Sequence, residues 1–276
     1  MRKTLLLGIA LLVASASAYS QDLVVLHFND THSHLEPVRS GEEAGLGGII
    51  ERAAYVDSVR AAEGRRNVLL LHAGDFSQGT SYFTLLKGDV EVDLINALKY
   101  DAVTLGNHEF DNGLDELARR LKSLKCPVVC ANYDFSPFEL GRYVKPYTIV
   151  RKAGMKIGIF GILTDITTVV DRTIADRIPK MDDVETANKW ADYLKNTEKC
   201  DLVVALTHIG FSAEKFTDPE LVRATRNIDL VVGGHSHTFL KEIVYVRNLD
   251  GSPVPIVQNG CWGIQKASLR VTRKNN

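Results

Sequence analysis

The sequence predicts an α/β fold, because short apolar runs alternate along the chain with segments of helical pattern. The apolar runs are rich in Val, Ile and Leu and nearly continuous, which is typical of strands covered on both faces. Several of them end in polar, glycine-rich or histidine-rich loops. The predicted strands are Leu23–Phe28, Asn67–Leu71, Ala102–Leu105, Val128–Cys130, Ile157–Phe160, Leu202–Leu206 and Leu230–Val232.

Helical patterns fill most of the segments between these strands. The tail of the chain alternates polar and apolar residues instead, so Glu242–Val246 and Pro255–Val271 are predicted to form antiparallel strands. No repeat or linker interrupts the pattern, and one domain over residues 21–276 is the simplest organisation. The predicted helices are Gly47–Glu63, Val92–Leu98, Leu114–Leu124, Val184–Asn196 and Pro219–Asn227.

The composition is that of a soluble globular protein. The chain has 276 residues, of which 45% are hydrophobic and 24% charged, and this balance excludes disordered and collagen-like classes. The formal net charge of -1 offers no electrostatic basis for binding nucleic-acid polymers or a membrane surface. An anionic substrate would therefore need a local positive centre, which a metal cluster supplies.

The N-terminus is predicted to be a signal peptide covering residues 1–20. Arg2 and Lys3 precede the apolar run Leu5–Val13, and the small residues Ala14–Ala18 follow as in a cleavage region. The run is too short for a membrane span of about 20 residues, and no other segment is long and apolar enough to span one. The alternative is a buried N-terminal helix. A signal peptide places the mature protein in the periplasm or outside the cell.

The four cysteines are predicted to be free thiols. Cys126 and Cys130 share a strand-like run, where four residues separate their Cα atoms by roughly 13 Å, too far for a disulfide. Their spacing with Cys200 and Cys261 does not match a zinc knuckle. The cysteines therefore indicate neither a disulfide framework nor a sulfur-bound metal.

Two polar motifs follow the first two strands. Asp30 and His32 are two residues apart in an extended segment, so their side chains can point to the same side and form half a metal site. The pair Asp-x-His also occurs by chance. After the second strand, Gly74 and Gly79 flank a tight turn that holds Asp75 at the strand tip. The alternative for Asp75 is an N-cap of the next helix.

The segment after the third strand is the most specific in the chain. Asn107 offers a neutral oxygen ligand, and His108 and Asp111 are three residues apart, so that one helical turn brings them together. A carboxylate beside an imidazole fixes its tautomer and raises its pKa, as suits a general acid. Burying several polar side chains directly after a buried strand costs free energy unless they bind something.

Histidines follow two later strands. His208 comes after Leu202–Leu206, and His235 and His237 come after Leu230–Val232 with the same two-residue spacing as Asp30 and His32. A single histidine at a strand end is usually a polar residue whose hydrogen bonds are formed within the protein. Five Asp, Asn and His clusters, each just after a predicted strand, are hard to ascribe to chance and predict a metal site.

In their order along the chain, these motifs resemble those of the calcineurin-like metallophosphoesterases. The phrases Asn29–His32, Gly106–Asp111 and Gly234–Thr238 are similar to the 5'-nucleotidase group within that family. The resemblance covers essentially the whole mature chain. It implies a four-layer α-β-β-α sandwich in which two packed sheets are flanked by helices, and a catalytic domain over residues 21–276.

The resemblance also implies two divalent metal ions bridged by Asp75. Oxygen and nitrogen ligands of this kind suit Zn, Mn, Co or Fe. The implied ligands of the first metal are Asp30, His32, Asp75 and His237. Those of the second metal are Asp75, Asn107, His208 and His235. His34 is expected near the site without being a ligand. His27 and His72 lie inside apolar runs and are expected either to be structural or to contact the ligands from behind.

The implied reaction is hydrolysis of a phosphate ester by a hydroxide that bridges the two metals. His108, paired with Asp111, would stabilise or protonate the leaving oxygen. The 5'-nucleotidases carry a second domain that recognises the nucleotide, and this chain stops at Asn276, soon after the last motif. Either a separate chain supplies that domain, or the enzyme works alone with a different specificity.

Three functions remain open at this point. The leading one is a phosphomonoesterase, with nucleoside monophosphates as expected substrates. The second is a phosphodiesterase or nucleotide-sugar pyrophosphatase, because the same two-metal centre cleaves both classes. The third is a non-catalytic docking subunit, and the intact set of ligands together with His108 and Asp111 argues against it.

Overall fold

The computed structural model describes residues 22–212 and 214–272. Their strands form two six-stranded sheets, which pack face to face over a shared apolar core. The predicted signal peptide, residues 1–20, lies outside the described residues. Among the helices of the described ranges, none is long and apolar enough to cross a membrane.

The first sheet is built from the N-terminal half of the chain and its last strand. Its strands are β1 (Leu23–Phe28), β2 (Val68–His72), β3 (Ala102–Thr104), β4 (Val128–Val129), β5 (Val144–Lys145) and β12 (Ser268–Val271). Strands β1 to β5 are parallel in that order, and β12 pairs antiparallel with β1 at the opposite edge. Because β12 returns to β1, the two ends of the described chain belong to one sheet.

The second sheet is built from the C-terminal half. Its strands are β6 (Tyr147–Lys152), β7 (Met155–Leu163), β8 (Leu202–His208), β9 (Leu230–Val232), β10 (Val244–Arg247) and β11 (Pro253–Val257). The spatial order is β10-β11-β9-β8-β7-β6. Strands β7, β8, β9 and β11 are parallel, and β6 and β10 pair antiparallel at the two edges.

Helices cover the outer faces of both sheets. The first sheet is covered through α1 (Ile49–Glu63), α3 (Asp89–Leu98) and α4 (Leu114–Ser123). The second is covered through α6 (Asp183–Asp192) and α7 (Asp218–Arg223). The short helices α2 (Ser81–Leu86) and α5 (Arg172–Ala175) lie between these elements in the chain and were not predicted.

The side chains of β1 alternate between two apolar cores. Leu23 and Val25 pack between the sheets, whereas Val24 and Leu26 face the helices of the first layer. A third core fills the space between the second sheet and its helices. Three cores separate four layers, which confirms the predicted α-β-β-α sandwich.

Some predicted elements need correction. The tail strands were predicted to be antiparallel, but β11 lies parallel to β9 and antiparallel to β10, because alternation indicates a two-faced strand and carries no information on its direction. The edge strand β6 was not predicted, since most of its residues are half-buried and give no apolar run. The helix predicted to end at Asn196 ends at Asp192 and continues as the π-helical turn Tyr193–Thr197.

All four cysteines are free thiols, as predicted. Cys126 is half-buried, and the other three are buried. Burial raises the pKa of the Cys126 thiol to about 12, so it stays protonated at neutral pH and is a weak nucleophile.

Candidate metal centre

Five polar loops meet at one edge of the sandwich, where parallel strands of both sheets end. They follow β1, β2 and β3 in the first sheet and β8 and β9 in the second. The carboxyl ends of parallel strands are the usual position of a ligand site in such sheets. The seven predicted metal ligands belong to these five strand ends, and six of them form overlapping groups of close donor atoms.

The first group contains Asp30, His32 and His237, whose donor atoms lie within 4.8 Å of one another. Asp30 Oδ1 is 3.3 Å from His237 Nε2 and 3.8 Å from His32 Nε2. The two imidazole Nε2 atoms are 2.9 Å apart. Two imidazoles and a carboxylate that converge in this way can hold one divalent cation.

The second group contains Asp75, His208 and His235, again within 4.8 Å. Asp75 Oδ2 is 3.1 Å from His208 Nε2 and 3.9 Å from His32 Nε2, so its carboxylate lies between the two groups. Burial alone would raise the pKa of Asp75, but the nearby imidazoles of His208 and His32 hold it below its usual value. An ionised, central carboxylate is the arrangement that could bridge two cations.

The orientation of His208 suits a metal ligand. Its Nδ1 donates a hydrogen bond to the carbonyl oxygen of Ala73 at 2.7 Å, which leaves Nε2 directed at the site. The ring is fully buried, and its Nε2 lies 3.1 Å from Asp75 Oδ2. Asn107 Oδ1 is buried without a hydrogen-bond partner. A buried acceptor of this kind is costly unless something binds it, and a cation beside Asp75 fits both Asn107 Oδ1 and His208 Nε2.

The charge of the site also fits a cation. Asp30 and Asp75 are buried side by side with imidazoles as their nearest positive groups. Burial opposes the charge on His208, yet Asp75 and Asp30 raise its pKa to about 10. A hydrogen bond with Asp30 likewise raises the pKa of His237 to about 10. These carboxylates attract protons onto the imidazoles, and a divalent cation would satisfy the same carboxylates while displacing those protons.

His108 and Asp111 form the predicted pair. A 3₁₀ turn at Asn107–Phe110 brings His108 Nδ1 to 2.9 Å from Asp111 Oδ2. Burial opposes protonation of His108, but Asp111 and Asp75 raise its pKa above the usual value. The His108 side chain is 30% exposed, and its ring centroid is 5.3 Å from that of His32. An imidazole that is oriented by a carboxylate at the mouth of the site can donate a proton to a substrate.

Glycine is needed at Gly106, where the loops after β2 and β3 touch. A Cβ atom on Gly106 would lie 2.1 Å from Asp75 Oδ1. One on Gly74 would lie 2.7 Å from both the Gly106 backbone nitrogen and His208 Nδ1. The absence of a side chain therefore allows the Asp75 carboxylate to reach the centre.

Glu109 supports this turn, a role that was not predicted. Its carboxylate accepts hydrogen bonds from the backbone nitrogens of Gly106, Asp75 and Ser77, at 2.6, 2.9 and 3.0 Å. Arg120, itself buried, donates to the Glu109 carbonyl oxygen and to Ser77 Oγ. The local signal was the position of Glu109 three residues after Gly106, from which its carboxylate reaches back to the Gly106 backbone nitrogen as in one half of a capping box.

Asn29 and Gln258 hold the opposite side of the site. Asn29 Nδ2 donates to Asp30 Oδ2 at 2.7 Å and to the Gly260 carbonyl oxygen at 2.6 Å. Gln258 Nε2 donates to the Gly234 carbonyl oxygen, and its Oε1 accepts from Ser236 Oγ. These contacts join residues separated by up to 231 positions, so no local pattern could have revealed them.

The remaining histidines near the site have other partners. His34 stacks on Trp262, with ring centroids 4.6 Å apart, and does not belong to any of the close donor groups. His72 is buried and forms a 3.1 Å hydrogen bond with Thr31 through Nε2. Burial lowers the pKa of His27 to about 4, so that ring is neutral.

A cavity of about 530 Å³ opens over the two donor groups. The cavity is lined by the ligand candidates His32, Asp75, Asn107, His235 and His237. Val169 and Trp262 contribute apolar surface to its wall. The cavity is larger than a phosphate group, and it leaves room for part of a leaving group beside His108.

Comparison with known proteins decides the family. The family model described as calcineurin-like phosphoesterase matches residues 23–239, which include all five loops. The chain belongs to the calcineurin-like phosphoesterase family. The predicted family resemblance is therefore confirmed.

Members similar to this phosphoesterase include 5'-nucleotidases. It is 38% identical to a snake venom 5'-nucleotidase from Naja atra over 92% of this chain and 50% of that protein. The structure of a 5'-nucleotidase precursor from Thermus thermophilus has 31% identity and a TM-score of 0.80, covering 91% of this chain and 54% of the other. An NAD nucleotidase from Haemophilus influenzae has 30% identity and a TM-score of 0.79, covering 90% and 52%. The chain spans about half the length of the curated relatives it matches.

Proposed function

We propose that this phosphoesterase is a metal-dependent phosphomonoesterase of the 5'-nucleotidase type, with nucleoside monophosphates among its substrates. The observation that carries the proposal is the position of Asp75. Its carboxylate lies between two groups of potential ligands at the floor of a cavity whose mouth holds His108 and Asp111. The similarity to 5'-nucleotidases over more than nine-tenths of this chain supports the choice of substrate.

The proposed centre holds two divalent ions of Zn, Mn, Co or Fe, as expected from the mixed oxygen and nitrogen ligands. Bound in this position, such ions lower the pKa of a water molecule and neutralise charge on the phosphoryl oxygens. Asp75 is shared between the two sets. The ligands of the first ion are Asp30, His32, Asp75 and His237. Those of the second are Asp75, Asn107, His208 and His235.

His108 is the proposed catalytic acid. Its Nδ1 is held by Asp111, which leaves Nε2 for the substrate. A protonated ring stabilises negative charge on the phosphoryl group and transfers its Nε2 proton to the leaving oxygen. His108 also lies within 4.8 Å of donor atoms of His32 and Asp75. The family resemblance assigns this position to the acid rather than to a ligand.

A second candidate function is hydrolysis of a phosphoanhydride or phosphodiester, as in a nucleotide pyrophosphatase. The similarity to an NAD nucleotidase favours it, because that protein shares the fold with a TM-score of 0.79. The cavity of about 530 Å³ also has room beside the donor groups for a second phosphate. The same acid would then protonate a phosphate leaving group instead of an alkoxide.

The organisation of the whole protein is part of the proposal. Residues 1–20 are a signal peptide, and residues 21–276 are the catalytic domain of an enzyme that acts on nucleotides in the periplasm or outside the cell. Either a further domain, carried by a longer form of the protein or by a separate chain, completes nucleotide recognition, or residues 21–276 recognise the substrate alone. The half-length match to the curated relatives supports the first of these.

The test is phosphate release by residues 21–276 with added Mn²⁺ or Zn²⁺, and with a chelator as control. The substrates are AMP, a nucleotide sugar, a 2',3'-cyclic nucleotide and an aryl phosphate. Chelator-sensitive hydrolysis of AMP in preference to the others supports the proposed function, and preference for the nucleotide sugar supports the second candidate. Activity on the aryl phosphate alone means that recognition lies on another domain. Inactivity towards every substrate, with both metals bound, contradicts the catalytic proposal.

A further inference from the structure

A second, much smaller cavity lies behind the loop that carries Asp30 and His32. Its volume is about 20 Å³, and it is bounded by Thr31 and Ser33 of that loop, His72 at the end of β2, and Glu91 and Tyr100 at the two ends of α3. All five residues are buried. Apolar side chains complete the wall, among them Leu35, Ile49, Phe76, Ile95 and Leu98.

Polar atoms on this wall lack partners within the protein. His72 Nδ1 and Tyr100 OH are buried without a hydrogen bond, and the Glu91 carboxylate, whose nearest side-chain donor is Ser33 Oγ, makes no hydrogen bond of good geometry. Unpaired buried polar atoms are rare in native proteins, and several around one cavity usually share a bound molecule. The arrangement therefore indicates an occupant that both donates and accepts hydrogen bonds.

The volume of the cavity and the charged residues around it indicate which molecule can occupy it. A volume of about 20 Å³ accommodates about one water molecule and no larger ligand. Arg52 is one of the buried residues that line the cavity. Burial raises the pKa of the Glu91 carboxyl group, and the nearby Arg120 partly offsets this effect. These two arginines disfavour a cation beside Glu91, and the carboxylate disfavours an anion. A neutral molecule with two donors and two acceptors fits best.

We propose that an ordered water molecule in this cavity joins Glu91, Tyr100 and His72 to Ser33, and that it positions the loop that carries Asp30 and His32. The consequence for metal binding rests on the proposed function, because it assumes that Asp30 and His32 bind a metal. Glu91, Tyr100 and His72 act as positioning residues. None of them belongs to the groups of close donor atoms.

The loop needs such support because its backbone is strained. Asp30, His32 and Ser33 have φ angles of 49°, 45° and 54°, in the left-handed region that side chains other than glycine disfavour. The backbone nitrogens of these three residues donate to carbonyl oxygens of residues 74 to 76. His72 Nε2 holds the Thr31 hydroxyl at 3.1 Å, so a partner for His72 Nδ1 fixes the tautomer of the ring and thereby this contact.

The first test is a crystal structure at about 1.5 Å resolution of the protein prepared without metal. It should contain a water molecule within hydrogen-bond distance of at least three of the four polar side chains, Ser33, His72, Glu91 and Tyr100. An empty cavity, or density that refines as an ion, overturns the proposal. This result does not depend on catalysis, so it stands or falls separately from the proposed function.

The second test measures Mn²⁺ affinity by titration calorimetry on the metal-free protein. Glu91→Leu should weaken binding at the site formed by Asp30, His32 and His237 about 10- to 100-fold, as loss of outer partners of metal ligands typically does. Glu91→Gln, which keeps polar atoms at the water, should stay within about threefold of wild type. Glu116→Leu on α4, which loses a pairing with Arg119 outside the cavity, is the matched control.

Tyr100→Phe removes one hydroxyl and keeps the ring, so it covers the case in which Glu91→Leu does not fold. It should weaken binding in the same direction as Glu91→Leu. Unchanged affinity in both Tyr100→Phe and a folded Glu91→Leu overturns the positioning role. If the wild type binds no metal, the proposed function fails, and the crystal structure still decides whether the water is present.

Discussion

His208 Nδ1 donates a hydrogen bond to the Ala73 carbonyl oxygen across 2.7 Å, and this contact ties the second sheet to the first at the metal centre. It orients Nε2 of the same ring 3.1 Å from Asp75 Oδ2. A side chain from β8 is thus aligned by the loop after β2 before any ligand binds. This preorganisation leads directly to the first prediction.

His208→Gln should remove one metal and leave the other. The substitution keeps a polar side chain of similar length but loses the imidazole nitrogen beside Asp75. We expect metal content, measured by inductively coupled plasma mass spectrometry after dialysis, to fall from about two ions per chain to about one, as two separate ligand sets imply. Loss of both ions with a folded protein would contradict the assignment of separate sets, and retention of both would show that His208 is not a ligand.

His108→Ala should separate chemistry from metal binding. Loss of a general acid lowers kcat by about 10²- to 10⁴-fold, while metal content stays at the wild-type value. Asp111→Asn is the companion variant, because it keeps His108 and weakens its orientation through the 2.9 Å contact. It should lower kcat by a smaller factor. A kcat for His108→Ala within twofold of wild type would remove His108 from the mechanism.

Gly106→Ala should weaken metal binding through a steric clash with Asp75. The new methyl group would lie 2.1 Å from Asp75 Oδ1 at a residue whose φ of -105° suits any amino acid. We expect Mn²⁺ affinity to fall by more than about tenfold, in the range seen when metal-site partners are displaced. Gly154→Ala is the control, since its Cβ meets open space at a φ of +72°. It should lose about 1–2 kcal/mol of unfolding free energy from strain and keep normal metal affinity.

Asp218 should make stability depend on pH. Burial raises the pKa of this carboxyl group from 3.8 to about 7, and Oδ2 lacks a hydrogen-bond partner. The folded state therefore binds the proton more tightly than the unfolded state, so the stabilisation is complete below about pH 4 and is lost as pH rises to about 7.

Asp218→Asn tests this dependence by urea unfolding of metal-free protein at pH 5 and pH 8. The amide carries no charge, and its oxygen can still accept the hydrogen bond that Thr207 Oγ1 donates to Asp218 at 2.6 Å. The variant should gain about 2–4 kcal/mol relative to wild type on going from pH 5 to pH 8. A difference between variant and wild type that is the same at both pH values would show that Asp218 does not titrate in this range.

Much of the fold was predictable because its signals are local. Buried parallel strands such as Leu23–Phe28 and Leu230–Val232 begin and end where their apolar runs do. The direction of β11 was predicted wrongly, because it depends on pairing with β9, some 25 residues earlier in the chain, rather than on its own pattern. Edge strand β6 was missed since its side chains are half-buried and lack a continuous apolar run.

The candidate site, like the fold, was predictable where it depends on local sequence. The residues of the five loops could be identified because each follows a strand, and the structure brings them together at one edge of the sandwich. Their supports could not be identified, since Asn29 contacts Gly260 and His208 contacts Ala73 across more than 100 residues. Glu109 was visible as part of a motif, but its three backbone hydrogen bonds depend on how the loops after β2 and β3 meet.

The most direct test of the central claim is anomalous X-ray diffraction from crystals soaked in Mn²⁺, recorded at the manganese absorption edge. We expect two peaks about 3.5–4 Å apart, the usual separation in two-metal sites, one on each side of the Asp75 carboxylate. The first should lie among Asp30, His32 and His237, and the second beside Asn107, His208 and His235. A single peak, or two peaks that do not share Asp75, would contradict the dinuclear centre from which the proposed phosphoesterase activity follows.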